Sequence, residues 1–488
     1  MLTMTKDTTH ITRLPGIAGL TADSRQVRPG YLFAAIPGTR TDGRHFIADA
    51  IAAGAIAVLA PTGTRLPEQV DADGVTLLTD DNVRRRFALA CAAFHGRQPA
   101  HIAAVTGTNG KTSTAQFCRQ LWAHAGLAGA SMGTLGITAP GQVTYGALTT
   151  PDPASLHETL ASLADAGVSH LVLEASSHGL DQYRLDGVAV GAAGFTNLTR
   201  DHLDYHGSME AYEAAKLRLF TELLPAAGTA VVNVDGAAGQ RIAAAVRASG
   251  RTLIDYGRAA ERLRLVEQEP GTRGQRLGFV LDGVRHTAEV PVVGSFQATN
   301  ILCALGLAMA TGLSPEAAIA GLPHLSGVRG RLERVAVRAN GAAIYVDYAH
   351  TPDALETVLK AVRPHVAGRL AVVFGCGGDR DPGKRPLMGR AAVANADIAV
   401  LTDDNPRTED PAVIRAQVRA AVPDVVEIGD RAAAIREAVS RLETGDVLVI
   451  AGKGHETGQI VGTTIRPFDD AEQARQAVAA LDGDGGEA

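Results

Sequence analysis

The stretch Gly107-Thr108-Asn109-Gly110-Lys111-Thr112-Ser113 gathers two glycines, a lysine and three hydroxyls in seven consecutive residues. Glycine lets a backbone turn tightly and come close to a phosphate. The N–H groups at a helix start point at the anion, and lysine adds a mobile positive charge. An apolar run, His101 to Val105, precedes it and a helical pattern follows, so the order is strand, phosphate loop, helix. The matching ligand is a nucleoside triphosphate. The common phosphate-loop pattern wants a glycine where Val105 stands, so only its Gly-Lys-Thr core is present. Alone, that core also suits a plain Gly-rich turn.

Further along, Glu174 and His178 follow another apolar run, where a carboxylate could hold Mg²⁺ directly or through water. Asp201, His202, Asp204 and His206 crowd behind the run Ala192 to Thr196. A zinc site is conceivable there, but no cysteine joins it and Mg²⁺ needs fewer protein ligands; a hydrated loop with a helix cap is the bland alternative. Lys216 falls in the helical stretch Glu210 to Phe220, where an exposed lysine is unremarkable. Near the N-terminus, Asp23-Ser24-Arg25 and Gly38 to Gly43 are turn-rich and could offer hydroxyls and arginine to an anion.

The elements that must position these residues read as α/β throughout. The chain has 488 residues, too many for one ordinary core, which points to three domains. From Met1 to about Gln98, short apolar runs (Tyr31 to Ile36, Ala55 to Ala60, Val75 to Thr79) alternate with helical patterns, giving a small α/β domain, 1–98. A second, 99–326, starts at the phosphate loop and has apolar strands at His170 to Leu173, Ala192 to Thr196 and Thr229 to Val234, separated by helix-length segments; this order makes a mostly parallel sheet. Shorter alternating runs between Arg262 and Val293 add antiparallel strands. A third, 327–488, opens with a hairpin at Asn340-Gly341 and repeats strand and helix in a Rossmann-like, doubly wound order. Its polar loops Gly375 to Arg385, Asp403 to Arg407 and Gly452 to Glu456 follow strands, where ligands of such sheets sit.

A net charge of −6 gives no basic field for nucleic acid, and aromatic residues at 4% are too few for base-stacking platforms. Cys91, Cys118, Cys303 and Cys376 are scattered, without zinc or disulfide-scaffold spacing. With no signal-like or membrane-length apolar segment, the expected setting is the cytoplasm.

The phosphate loop, Leu173 to Leu180, Thr196 to Gly207, Tyr348 to Asp353, Gly375 to Arg385, Asp404-Asn405-Pro406-Arg407 and Gly452 to Glu456, in this order, resemble the Mur ligases along essentially the whole chain. That family's loop is the shorter Gly-Thr-Asn-Gly-Lys form, which accounts for Val105; Ser113 stands where many relatives have threonine and keeps the hydroxyl. The resemblance implies an ATP-dependent acid–amino-acid ligase of peptidoglycan precursor synthesis. ATP would phosphorylate the D-glutamate carboxylate of UDP-N-acetylmuramoyl-L-alanyl-D-glutamate, and the amine of meso-2,6-diaminopimelate would attack the acyl phosphate. It implies a UDP-sugar-binding first domain, an ATP-binding second and an amino-acid-binding third.

On the same resemblance, Lys111, Glu174, His178, His202 and Lys216 are catalytic. Gly107 to Ser113, Asn300, Arg331 and Asp347 bind ATP. Two Mg²⁺ ions are implied, one on Thr112 and Glu174 and a second on His202, with Lys216 carbamylated to serve metal as well. Ser24 and the Thr39-Arg40-Thr41 loop would meet the uridine diphosphate, and Thr149, Thr150, Ser176, Gln182 and Arg184 the muramoyl-peptide. Arg380, Asp404, Asn405, Pro406, Arg407, Gly452 and Glu456 would hold diaminopimelate. The expected partners are these small molecules, bound by a monomer without nucleic acid or membrane insertion. The alternatives are a lysine-adding or folylpolyglutamate-type ligase of the same fold, and a phosphate-loop regulatory protein that ligates nothing.

Overall fold

The computed structural model describes residues 16–38, 41–68, 71, 73–144, 146 and 148–483, so the expectations for Thr39 and Arg40 fall outside the described residues. The chain divides into two compact units, 1–263 with 302–318, and 264–301 with 319–488.

In the first unit, a parallel four-stranded sheet runs in the order Gly19–Thr21, Tyr31–Ala34, Ala55–Pro61, Thr76–Asp80. The helix Val83–His95, capped by Asn82 and stopped by Gly96 at φ 70°, covers it through Val83, Phe87, Ala90 and Cys91. A larger sheet follows in the order Thr252–Gly257, Thr229–Asn233, Val190–Phe195, His101–Thr106, His170–Glu174, Gly129–Gly133, Gly136–Ala139, Gln142–Thr144. Its strands from Thr252–Gly257 to Gly129–Gly133 pair in parallel. Such strands are covered on both faces, and the near-continuous apolar runs of His101–Thr106 and His170–Glu174 are buried here apart from the exposed first residue, His101. The last three strands form an antiparallel meander that the sequence did not announce.

Around the start of the second unit at Arg264, the strands Leu263–Gly271, Gly274–Leu281 and Val284–Val290 form where added strands are expected; the last two pair antiparallel, and at nine, eight and seven residues they are not short. A six-stranded sheet then runs Arg331–Val337, Ala343–Asp347, Val447–Ala451, Leu370–Phe374, Ile398–Leu401, Val426–Glu427. The first pair is the expected hairpin, and the other pairings are parallel. Alternation along each strand splits the core in two. Val372 and Phe374 pack with Leu355, Met388 and Ile414, while Ala371 and Val373 pack with Ile435, Val439 and Val478. Helices therefore line both faces, and the loops after Phe374, Leu401 and Ala451 share the C-terminal edge. A two-stranded hairpin, Gly458–Val461 with Thr464–Pro467, stands outside this sheet and was not anticipated. Among the described residues, no helix is long and apolar enough to cross a membrane.

Candidate active site

The phosphate loop leaves the buried strand His101–Thr106 and enters the helix Lys111–His124 through Gly110, whose φ of 86° suits glycine. Gly107 is required for a different reason. At φ 145°, any Cβ there would lie 1.9 Å from Thr196 Oγ1. The neighbouring strand's loop braces the turn: Thr196 Oγ1 donates to the Asn109 carbonyl at 2.6 Å, and Asn197 Oδ1 accepts from Asn109 N–H at 3.0 Å. Lys111 Nζ folds back over the loop, donating to the Gly107 and Thr108 carbonyls at 2.9 and 2.8 Å.

Glu174, only 3% exposed, ends the adjacent strand and joins two sets of groups. Its Oε2 accepts from Thr112 Oγ1 at 3.0 Å and from Thr134 Oγ1 at 3.2 Å, while Oε1 accepts from Thr134 N–H at 2.9 Å. Thr134 Oγ1 lies 3.0 Å from Thr149 Oγ1. The Glu174 carbonyl accepts from Thr150 Oγ1 at 2.8 Å, and Thr150 Oγ1 is 3.0 Å from Ser176 Oγ, which caps the short helix Ser177–Asp181. Arg184 donates to the Thr150 carbonyl at 2.7 Å and to Gln182 Oε1 at 2.7 Å. The hydroxyl of the phosphate loop and the candidate acceptor residues Thr149, Thr150, Ser176, Gln182 and Arg184 are thus one connected network.

Behind the loop, Lys216 is 1% exposed. Its Nζ donates to the Gly107 carbonyl at 2.9 Å and lies 4.4 Å from the Tyr212 ring centroid. Burial, and then the nearby Lys111 charge, push this ammonium well below an ordinary amine. The exposed helix lysine of the sequence reading is therefore a buried group at the phosphate loop. His178 sits against Tyr205, His202 and His206, with ring centroids 4.1, 4.9 and 5.5 Å away. Burial first, and then the neighbouring histidines, lower its pKa and favour the neutral imidazole. His202 itself is about half exposed and takes a left-handed φ of 53°. Among the described residues, no three His, Cys, Asp or Glu side chains gather as metal ligands. In the N-terminal sheet's loops, Ser24 opens a short 3₁₀ turn, and Arg25 is paired with Asp23 rather than held open for an anion. Thr41 is exposed, its carbonyl accepting from Gly38 N–H at 3.0 Å.

In the second unit, Asn300 donates to Gln297 Oε1 at 2.9 Å, and Gln297 donates to the Arg331 carbonyl at 3.4 Å. The Arg331 guanidinium lies 4.6 Å over the Tyr348 ring. Asp347 is buried, accepting from Leu332 and Ala349 N–H at 2.8 Å each, and burial raises its carboxyl above the usual range. At the C-terminal sheet edge, Asn405 Nδ2 donates to Glu456 Oε2 at 2.9 Å. Arg407, at φ 54°, donates from Nη1 to the Gly378 carbonyl at 2.7 Å. A Cβ on Gly452 would come within 2.5 Å of Asp404 Oδ2. Arg380 donates to the Asp379 carbonyl at 3.2 Å. The Asp404–Arg407 run and Glu456 are thus neighbours, joined by the Asn405–Glu456 hydrogen bond.

Three family models match the chain along its length: Mur ligase family, catalytic domain, at 16–95; Mur ligase middle domain at 105–308; and Mur ligase, glutamate ligase domain, at 330–454. A UDP-N-acetylmuramoyl-L-alanyl-D-glutamate--2,6-diaminopimelate ligase from Caulobacter vibrioides is 54% identical over 474 residues, covering 96% of each chain. The chain belongs to the Mur ligase family. A relative of the same name from Rhizobium meliloti is 51% identical over 95% of each chain. A solved structure of a ligase of that name is 36% identical, with a TM-score of 0.72 over 95% of this chain and 94% of the other. At 18% identity, a Thermotoga maritima MurF ligase in complex with ADP shares the fold, with a TM-score of 0.61 over 98% of this chain and 99% of the other.

Within this Mur ligase, several residues at the two sites carried no signal in the sequence. Thr134, which holds Glu174, lies after a Gly-Ala-Ser-Met-Gly strand without the usual β-branched residues. Tyr212 shares a hydrogen bond of 3.1 Å with Thr108 Oγ1, and nothing local to Tyr212 marks it. Arg385 closes a loop the sequence did mark, but its burial at 1% exposure and its pairing with Glu409, which ties the Gly375–Arg385 loop to the segment after Arg407, were not legible there.

Proposed function

We infer that this Mur ligase joins meso-2,6-diaminopimelate to the D-glutamate carboxylate of UDP-N-acetylmuramoyl-L-alanyl-D-glutamate, using ATP and an acyl-phosphate intermediate. The observation that carries this reading is Glu174. One buried carboxylate touches Thr112 of the phosphate loop and, through Thr134, reaches Thr149, which would let shared groups align triphosphate and acceptor. A free carboxylate is a poor electrophile, and phosphorylation gives it a leaving group. The protein's work is then positioning and charge stabilisation. Lys111 supplies a cation to the β- and γ-phosphates, and His178, neutral, orients a phosphate or metal rather than acting as a base.

The donor set fits Mg²⁺, since the Thr112 hydroxyl and the Glu174 carboxylate lie 3.0 Å apart and both are buried. Thr112 and Glu174 would hold one ion and His202 a second, with a carbamylated Lys216 also suited to metal; the metal would supply neutralisation of phosphate oxygens. Gly107 to Ser113, Asn300, Arg331 and Asp347 serve ATP. Ser24 and residues 39–41 serve the uridine diphosphate, and Thr149, Thr150, Ser176, Gln182 and Arg184 the muramoyl-peptide. Arg380, Asp404, Asn405, Pro406, Arg407, Gly452 and Glu456 serve the amino acid. Segments 1–98, 99–326 and 327–488 divide these duties, in a cytoplasmic monomer that binds no nucleic acid.

Phosphate release measured with ATP, the nucleotide precursor and candidate amino acids tests this. The ligase releases phosphate only when precursor and diaminopimelate are both present, and Lys111→Ala abolishes the release. Turnover of ATP that ignores the amino acid would instead support a nucleotide switch.

A further inference from the structure

Lys453 is the one residue of Gly452-Lys453-Gly454-His455-Glu456 with a completely buried charge, its side chain 0% exposed. A lysine is almost never enclosed unless its charge is paired and its donors are used. Here all three donors have partners: Nζ donates to Asn405 Oδ1 at 3.1 Å, to Glu456 Oε2 at 3.1 Å and to the Gly458 carbonyl at 2.6 Å. Asn405 is fixed in turn. Its Oδ1 also accepts from Ile460 N–H at 2.9 Å and its Nδ2 donates to Glu456 Oε2 at 2.9 Å, so the amide has a single orientation. Three separate segments, the loop after Leu401, the loop after Ala451 and the outlying hairpin, meet at one ammonium.

We propose that Lys453 is a positioning residue for the amino-acid pocket: it locks Asn405 and Glu456 into one geometry and offsets the charge that an incoming diamino acid meets. The proposal rests on the ligase reading above. Being enclosed, Lys453 acts through its partners and not on the substrate. Glu456 is 35% exposed, with its Oε2 committed inward to Lys453 and Asn405. Because Glu456 is already offset, a lone ammonium gains less there than a far end carrying both ammonium and carboxylate, which can also use a guanidinium. Lys453 therefore contributes to the choice of diaminopimelate over lysine.

The test is steady-state phosphate release by the full chain, varying each substrate in turn, for the unmutated enzyme, Lys453→Gln and Lys453→Met. The expected result is a KM for diaminopimelate raised about tenfold or more in Lys453→Met and less in Lys453→Gln, which keeps an amide donor, with kcat changed less than about threefold. KM values for ATP and the precursor stay put, and the preference for diaminopimelate over lysine falls about tenfold. Unchanged diaminopimelate KM, or an equal fall in every parameter, overturns the proposal. If the unmutated enzyme shows no diaminopimelate-dependent release, the ligase reading fails instead. Should the single variants fail to fold, Lys453→Met with Glu456→Gln removes the buried ammonium together with its carboxylate partner and is compared with Glu456→Gln alone. A further rise in diaminopimelate KM supports the proposal, and no rise overturns it.

Discussion

The Nζ of Lys216 donates to the Gly107 carbonyl at 2.9 Å, so a lysine from a distant helix props the phosphate loop from beneath and is held there by a carbonyl rather than a carboxylate. Burial lowers its pKa, which raises the fraction of free amine able to react with carbon dioxide. A carbamate formed there would be an anion, suited to Mg²⁺ where an ammonium would repel it. Lys216→Ala is expected to retain nucleotide binding and to lose turnover by roughly a hundredfold or more, the scale of losing an electrostatic group at a reacting centre. Short carboxylic acids should restore part of the activity. An intact protein without carbamate, together with no rescue by any acid, would count against the modification.

Gly133 touches the same network from the other side. A Cβ there would lie 2.1 Å from Glu174 Oε1, so Gly133→Ala must displace the carboxylate that links Thr112 and Thr134. The expected outcome is a loss in kcat of about tenfold or more with a smaller change in melting temperature. Thermal unfolding and phosphate release on the same sample separate the two. A variant that melts early but turns over normally would place Glu174 outside the reaction.

Much of this was legible beforehand, for identifiable reasons. Buried parallel strands read as continuous apolar runs, so His101–Thr106, His170–Glu174 and Thr229–Asn233 were visible. The strands Gly136–Ala139 and Gln142–Thr144 were not, because each is short and partly or fully exposed. The burial of Lys216 and Lys453 was invisible as well. Each is enclosed by groups far away in the chain, Gly107 for one and Asn405 for the other, and no local pattern encodes such contacts.

His157 makes stability depend on pH. It is 1% exposed, and its Nε2–H donates to the Asp186 carbonyl at 3.1 Å. Burial lowers its pKa from 6.5 to about 4, against the opposing effect of that hydrogen bond. Between these values the unfolded chain binds a proton that the folded chain does not, so stability rises with pH across the window and is lost as pH falls from about 6.5 to about 4. The loss is on the order of 3 kcal/mol at full extent. Denaturant unfolding at stepped pH should show this slope, and His157→Gln should flatten it. An unchanged slope in the variant would assign the effect to other groups, such as His455, whose pKa is also lowered to about 4 by burial and then by Arg331.

The last expectation concerns which amino acid is added, and it turns on Arg407. Its backbone is stitched to the outlying hairpin, with Arg407 N–H donating to the Ile460 carbonyl at 3.0 Å and Gly462 N–H to the Arg407 carbonyl at 2.6 Å. The residue is thereby held at a φ of 54°, a left-handed conformation that a bulky side chain adopts only when its surroundings impose it. Nη1 is anchored on the Gly378 carbonyl at 2.7 Å and lies 3.5 Å from the Asn405 carbonyl, which holds one end of the guanidinium in place. A fixed planar cation can bind a carboxylate through paired hydrogen bonds and repels a bare ammonium. Diaminopimelate has that carboxylate at its far end and lysine does not, so one side chain would both attract the first and reject the second. Arg407→Ala should cost about 2–4 kcal/mol in kcat/KM for diaminopimelate, as for a lost charged bidentate contact, while barely lowering the poor rate with lysine. Comparable efficiency with lysine in the unmutated enzyme, or a variant that still prefers diaminopimelate as strongly, would move the specificity away from Arg407.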